Sequence, residues 1–548
     1  YFHHGKNITD RYGRYNVQYQ TLYDLADINQ ESPVMDAYLK EAARLFRRHG
    51  ADGFRLDGMK HITWGWQPSL VNALGSPGGS FVFGEWYLED PPVRGWWPRL
   101  KAFLRSVFSS EAQSSKYVSD PLYGDALKLV NRGGMSMLNF PLATATRSVF
   151  GPDDAGFREL DTLLGREAKD FARRGELVNF IDNHDMQRLL SLADDRHRLH
   201  AALAFALTAP GVPCIYYGTE QYLHDDTAGG KDPYNRPMMN NFSTDTPAYS
   251  LISRLSRLRR DNPALAYGDL TARKVSDDVY VYERKFFGNV VLVAINKSDD
   301  GAEDLEGLKT VLPPAAYEDY LGGAFGAPRV EVTEGADGEN GVAAFKLPAH
   351  SVGVWGYREP PTSPRAGAVA PSVAQPGSEV TLTGEGFGSA AGAVMFGETR
   401  AEIISWADGE VKVSVPSVES GAQSLRVIDG AGRSSNAVQF NALSGALVPL
   451  TFKVRNVPTL QPGEQLFLVG GGYELGGWHA TREEAVGPLV SADNAEWFVC
   501  ASVPAGHTLQ FKFAKLGSGG EVTWEGGPNR VLAAPAAAAA EARFEWQY

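Results

Sequence analysis

The strongest constraint on this chain is a design that it uses three times, an apolar run of strand length that ends in a carboxylate. Ala51-Asp52-Gly53-Phe54-Arg55-Leu56-Asp57 is the first, and Gly58-Met59-Lys60-His61 follows within a turn. Phe81-Val82-Phe83-Gly84-Glu85-Trp86 is the second, and Val178-Asn179-Phe180-Ile181-Asp182-Asn183-His184-Asp185 is the third. Asp57, Glu85 and Asp185 thus stand in chain order at three strand ends. In a β/α barrel the C-terminal ends of the strands form the face where chemistry occurs. Side chains on a strand repeat every second residue, so Arg55 shares a face with Asp57, where a guanidinium keeps the acid ionised and oriented.

Further strand-like runs at 135–140 and 212–217 bring the count to five. Helix-length segments separate them, including 32–49, 192–208 and 248–260, and this alternation predicts βα units with a parallel sheet. From about residue 268 the pattern changes to period two, as in Val279-Tyr280-Val281-Tyr282 and Val290-Val291-Leu292-Val293. The β pattern persists to the C-terminus, interrupted by the linker Glu359-Pro360-Pro361-Thr362-Ser363-Pro364. The boundaries expected are a βα region over 1–267, an all-β sandwich over 268–358, and further all-β domains over 365–443 and 446–548.

A chain of 548 residues is expected to hold several domains. Its formal net charge of −13 argues against a nucleic-acid partner and suits a neutral polymer, which needs no charge complementarity. No apolar run reaches membrane-spanning length, so no membrane partner is expected. The two cysteines, Cys214 and Cys500, read as two buried thiols in separate domains, although a bridge between them stays open.

Gly-Phe-Arg-Leu-Asp…Lys-His, Phe-Gly-Glu-Trp and Phe-Ile-Asp-Asn-His-Asp resemble three of the four signature regions of the α-amylase family of glycoside hydrolases and transglycosylases. The fold implied is a partial (β/α)8 TIM barrel, strands four to eight, followed by three all-β domains: a sandwich, an immunoglobulin-like domain and a starch-binding module. The first three strands and the fourth signature region are missing, so the sequence reads as a fragment of a longer enzyme. By resemblance Asp57 is the nucleophile and Glu85 the general acid/base of a retaining reaction. That chemistry places two carboxyl groups about 5 Å apart. The aromatic neighbours Phe83, Trp86 and Tyr87 are expected to help Glu85 hold a proton. Asp185 and His184 would bind sugar hydroxyls. Lys60, His61 and Tyr87 would line the acceptor side, and Asp232 and Arg236 the donor side. Asp27, with the carbonyls of His61 and Gln18, resembles part of a Ca²⁺ site. The long segment Asp90–Gly134, with Trp96-Trp97 and an amphipathic pattern near 98–108, is a candidate for shaping substrate access.

Tyr23 matches an aromatic around which cyclodextrin glucanotransferases wrap a glucan, and this leans the reading toward transfer. Against it, Arg11-Tyr12 replaces another aromatic, and Asp-Pro-Tyr-Asn-Arg-Pro-Met-Met pulls toward a maltogenic hydrolase. In the last domain, Trp478 and Trp524 resemble the aromatic platform of a starch-binding module, with Lys512, Glu525 and Asn529 as hydrogen-bonding partners. Phe467 and Phe498 stand where a second site carries tyrosines, so that site is expected to be weak. The resemblance implies a secreted, extracellular, monomeric enzyme acting on starch and maltodextrins. A chain that only binds starch is the competing reading.

Overall fold

The computed structural model describes residues 1–3, 5–75, 80–88, 120–335 and 339–548. Trp96-Trp97 and the pattern near 98–108 lie outside the described residues. The chain divides into two compact units. One holds the described residues of Tyr1–Pro92 and Val118–Met137 together with Pro361–Tyr548, and the other holds Leu138–Pro360.

In the first unit, strands β1 (Gly53–Leu56), β2 (Phe81–Gly84) and β3 (Ser136–Met137) form a parallel sheet in the order β1-β2-β3. The register pairs Arg55 with Phe83 and Leu56 with Gly84. Gly84 is required by close approach, because a Cβ there would sit 2.4 Å from the sulfur of Met59. The helix Pro33–Arg48 starts with proline in its first turn and ends with Arg47 and Arg48, as the helix dipole favours. It buries the pair Asp36–Lys40 (2.7 Å) and leaves Val34, Tyr38, Leu45 and Phe46 exposed. An apolar stripe at helix spacing therefore does not face a core among the described residues.

Two β-sandwiches complete this unit. One packs Val380, Leu382, Val394, Phe396, Val411 and Phe440 between a four-stranded and a five-stranded sheet. The other gathers Phe452, Phe511, Phe513 and Phe544 in edge-on and tilted contacts. This last sandwich packs against the βα segment of the same unit. A Cβ on Gly65 would lie 1.7 Å from the carbonyl oxygen of Cys500, and Ser502 Oγ donates to Gly65 O (2.6 Å). Lys128 Nζ donates to the carbonyls of Ala485 (2.9 Å) and Gly487 (3.1 Å).

In the second unit, β4 (Val178–Asn179) and β5 (Val212–Pro213) pair in parallel. The helix Arg196–Thr208 is buried from Leu199 onward. The alanine-rich sequence is compact enough to pack against the helices Phe140–Phe150 and Pro247–Asp261 and against the sandwich strands. Those strands, Asp269–Val275, Val279–Phe286, Asn289–Asn296 and Ser351–Tyr357, form one antiparallel sheet.

All five strands are shorter than their apolar runs, because parallel pairing stops where each run turns toward its loop. Both cysteines are free. Cys500 is buried, but Cys214 is exposed, which corrects the expectation of two buried thiols. It lies just past β5, which pairs only with β4 among the described residues.

Candidate active site and starch-binding surface

One step beyond the β1–β2 register brings Asp57 opposite Glu85, and Glu85 N–H continues the ladder to Leu56 O (2.9 Å). Arg55 Nη1 contacts Asp57 Oδ1, and Nη2 of the same guanidinium lies 3.1 Å from Glu85 Oε2. Gly58 N–H, in a left-handed turn, also points at Glu85 Oε2 (3.4 Å). The two acids differ in surroundings: the Asp57 side chain is 82% exposed and that of Glu85 24%. Partial burial pushes the Glu85 carboxyl above its ordinary range. The Gly58 N–H and Arg55 oppose this rise, and nearby Asp57 adds to it. An acid shifted toward its protonated form beside an acid held by a guanidinium is the division of labour that retaining glycoside chemistry uses. Trp86 is fully buried against Trp64 at 5.0 Å between rings, whereas Tyr87 is exposed.

Lys60 departs from its expected role. Its ammonium is buried, donating to Tyr87 O (2.8 Å) and pairing with Asp120 (3.1 Å). It ties the turn after β1 to the segment after β2 instead of presenting itself to an acceptor sugar. The His61 ring sits 3.2 Å from Val17 O, and burial lowers its pKa. Tyr23 is 71% exposed with a positive φ, and its hydroxyl accepts from Arg11 Nη2 (3.3 Å). Arg11 therefore stands directly beside this aromatic.

In the second unit, His184 Nε2 lies 3.1 Å from Asp185 Oδ2. Arg236 bridges two acids, with Nη2 at 3.4 Å from Asp185 and Nε at 3.1 Å from Asp232. The structure thus joins four sequence-identified residues, His184, Asp185, Asp232 and Arg236, in one exposed cluster. The motifs did not single out Asn235 and Arg188, which lie buried beneath it.

Trp478 and Trp524 are both partly exposed, at 37% and 39%, and Asn529 is exposed. Lys512 Nζ spends two of its three donors on the carbonyls of Glu525 (3.0 Å) and Gly527 (2.9 Å). Glu525 is buried and does not face a sugar, contrary to the expectation. Its carboxylate accepts from Arg530 Nε (2.8 Å) and Nη2 (2.7 Å) and from Phe513 N–H (2.9 Å), an arrangement that shapes the turn following Trp524, the last residue of the strand Val522–Trp524. Phe467 is a core residue, and Phe498 packs edge-on to Tyr15 and Tyr19.

The fold and these groups define a glycoside hydrolase or transglycosylase of the β/α class that carries an appended carbohydrate-binding module. Residues 7–268 match the family model for the α-amylase catalytic domain and 271–358 that for the α-amylase C-terminal all-beta domain. Residues 364–442 match the IPT/TIG domain and 447–543 the starch binding domain. The whole chain is 39% identical to a cyclomaltodextrin glucanotransferase of Niallia circulans and 38% identical to one of Geobacillus stearothermophilus, and spans 72% of each. Its structure is similar to that of gamma-CGTase from alkalophilic Bacillus clarkii, with TM-score 0.87 and 32% identity over 100% of this chain and 76% of that one. The chain belongs to the α-amylase family, within its cyclomaltodextrin glucanotransferase group.

Enzymes of this family generally bind calcium. Here Asp27 and the carbonyls of His61 and Gln18 offer at most four oxygens, fewer than the roughly six to eight that Ca²⁺ takes from protein and water. The Asp27 carboxylate is moreover engaged by His3 Nδ1 at 2.8 Å. These residues would supply only part of a Ca²⁺ shell, the rest of which falls to water or to further oxygens.

Proposed function

We propose that this protein is a retaining α-1,4-glucan transferase acting on starch and maltodextrins. The observation that carries the proposal is the single Arg55 guanidinium shared by Asp57 and Glu85, with Glu85 pushed toward its protonated form.

Asp57 attacks the anomeric carbon, and Glu85 gives its proton to the departing glycosidic oxygen. A covalent glycosyl-Asp57 ester and a free chain end result. Glu85, now a carboxylate, takes the proton of an incoming hydroxyl as its oxygen attacks the same carbon. This releases Asp57 and returns the proton to Glu85. A sugar hydroxyl as acceptor gives transfer, and water gives hydrolysis. By resemblance Asp185 and His184 hydrogen-bond the reacting sugar, and Asp232 and Arg236 hold a sugar further along the donor chain. The exposed Tyr23 favours a glucan wrapped about it, and hence cyclisation. Arg11, which donates to the Tyr23 hydroxyl, and Tyr12 stand where the resemblance expects another aromatic, and this supports the hydrolytic alternative.

Trp478 and Trp524 hold the enzyme on insoluble starch, a polymer met outside the cell, so the protein is read as extracellular and as working as a monomer. Calcium has no assigned part in this scheme. Mass analysis of the first products from soluble starch tests the reading. Cyclic glucans, each lighter than its linear counterpart by one water, are expected. Linear maltodextrins alone would assign the enzyme to hydrolysis, and no product at all would overturn the catalytic reading.

A further inference from the structure

Asn235 is a polar side chain with no exposure at all, although the acids and cation around it face solvent. Its Nδ2 donates to the main-chain carbonyls of His184 (2.6 Å) and Met186 (3.1 Å), the two residues that flank Asp185. Its own carbonyl accepts from Arg188 Nε at 3.1 Å. Arg188 is equally buried. It lies 3.9 Å above the ring of Tyr216 and donates to Tyr217 O at 2.8 Å, and the Tyr217 hydroxyl donates to Pro237 O at 2.8 Å. Three loops, after β4, after β5 and around Asp232, are therefore joined through one amide and one guanidinium.

The chemistry of the amide is telling. Asn235 Oδ1 is buried with no hydrogen-bond partner in the structure, a cost that a core would ordinarily remove by substitution. What the side chain supplies is its two donors, and both go to the backbone on either side of Asp185. Arg236 also reaches this segment, but from solvent, with Nε donating to His184 O (2.8 Å) and Nη2 3.4 Å from Asp185, where an ion pair holds geometry weakly; the buried bonds to His184 O and Met186 O come from Asn235.

We propose that Asn235, braced by Arg188, is a positioning residue that sets the location of the Asp185 carboxylate against Asp232 and Arg236. The proposal rests on the reading of Asp185 as a sugar-binding acid. Asn235 touches no substrate and acts through the His184–Met186 backbone.

Asn235→Asp tests this, because it keeps the shape and removes the donors. Buried among carbonyls, the new carboxyl regains one donor only when protonated. On α-maltosyl fluoride, kcat is expected to fall about a hundredfold near neutral pH, as a displacement of about 1 Å at a reacting centre can cause, while KM stays within threefold. The ratio of variant to wild-type kcat should recover as pH falls. The pre-steady-state burst amplitude, which counts competent molecules, should stay unchanged. Hydrogen exchange of the peptide 183–187 should quicken at least tenfold, with no change in helix Arg196–Thr208. Arg188→Met, which removes the brace instead, should reproduce the exchange result should Asn235→Asp fold poorly.

A variant with wild-type kcat at every pH, or a loss that follows burst amplitude alone, overturns the proposal. An inactive wild type would overturn the glucan reading instead. In that case unchanged exchange at 183–187 in both variants would still refute the clamp, and quickened exchange would uphold it.

Discussion

Nη2 of Arg55 lies 3.1 Å from Oε2 of Glu85 while the other arm of the same guanidinium holds Asp57. Two carboxyl groups on neighbouring parallel strands thus share one cation, and they are distinguished by exposure. Asp57→Asn and Glu85→Gln should each cut turnover of soluble maltodextrins at least about a thousandfold, since each removes an indispensable participant. Adsorption to granular starch should survive both changes. Equal loss of adsorption would show that the variants unfold.

The pH dependence follows from Glu85. Burial raises its pKa, and the first step needs its proton. The rate should therefore be retained below the raised pKa and lost as pH climbs through it. In kcat/KM profiles this appears as an alkaline limb displaced upward from an ordinary glutamate. A limb at the ordinary position would mean that Glu85 is not the acid.

Trp478→Ala and Trp524→Ala should each weaken adsorption to granular starch about five- to tenfold, as the loss of roughly 1 kcal/mol of stacking requires. Turnover of short soluble maltodextrins should be unchanged. Unaltered granule binding in the double variant would remove the platform from the mechanism.

Glu525→Gln separates scaffold from ligand. The carboxylate is buried and doubly bonded to Arg530, so losing its charge should destabilise the module by about 3 kcal/mol, the scale of a broken buried pair. Calorimetry should show a lowered transition, and maltodextrin affinity of the folded module should hold. Reduced affinity with an unchanged transition would restore Glu525 to the sugar.

Glu167, buried on the helix Arg158–Asp170 and bonded to Asn139 (2.8 Å), has its pKa pushed by burial up to about 7. The folded chain binds that proton more tightly than the unfolded chain does. Stability therefore declines as pH rises from about 4.5 to about 7, and the penalty is complete above that range. Glu167→Gln should raise the melting temperature at pH 8, by an effect of at most about 3 kcal/mol, and leave it unchanged at pH 4. A gain of equal size at both pH values would exclude the carboxylate as its source.

Much of the site was legible because the relevant spacings are covalent. Arg55 and Asp57 are two residues apart on a strand, so their shared face follows from the pleat. Trp478 lies in a glycine-rich loop as expected, whereas Trp524 ends the strand Val522–Trp524, and both remain partly exposed. The failures share one cause. Lys60 and Glu525 were assigned from a few flanking residues, yet their environments are decided by Asp120 and Arg530, far from them in sequence or across a turn.

From its sequence alone this protein had a determined set of acids at strand ends, a change from βα alternation to period two, and a family. These depend on local periodicity and on motifs that short-range geometry imposes. Which carboxyl is shifted toward its protonated form, which lysine is spent on a buried pair, and that Asn235 holds the backbone around Asp185 were decided only by the tertiary structure. Desolvation and hydrogen bonding depend on what the folded chain brings within about 3 Å, and no spacing along the sequence sets that.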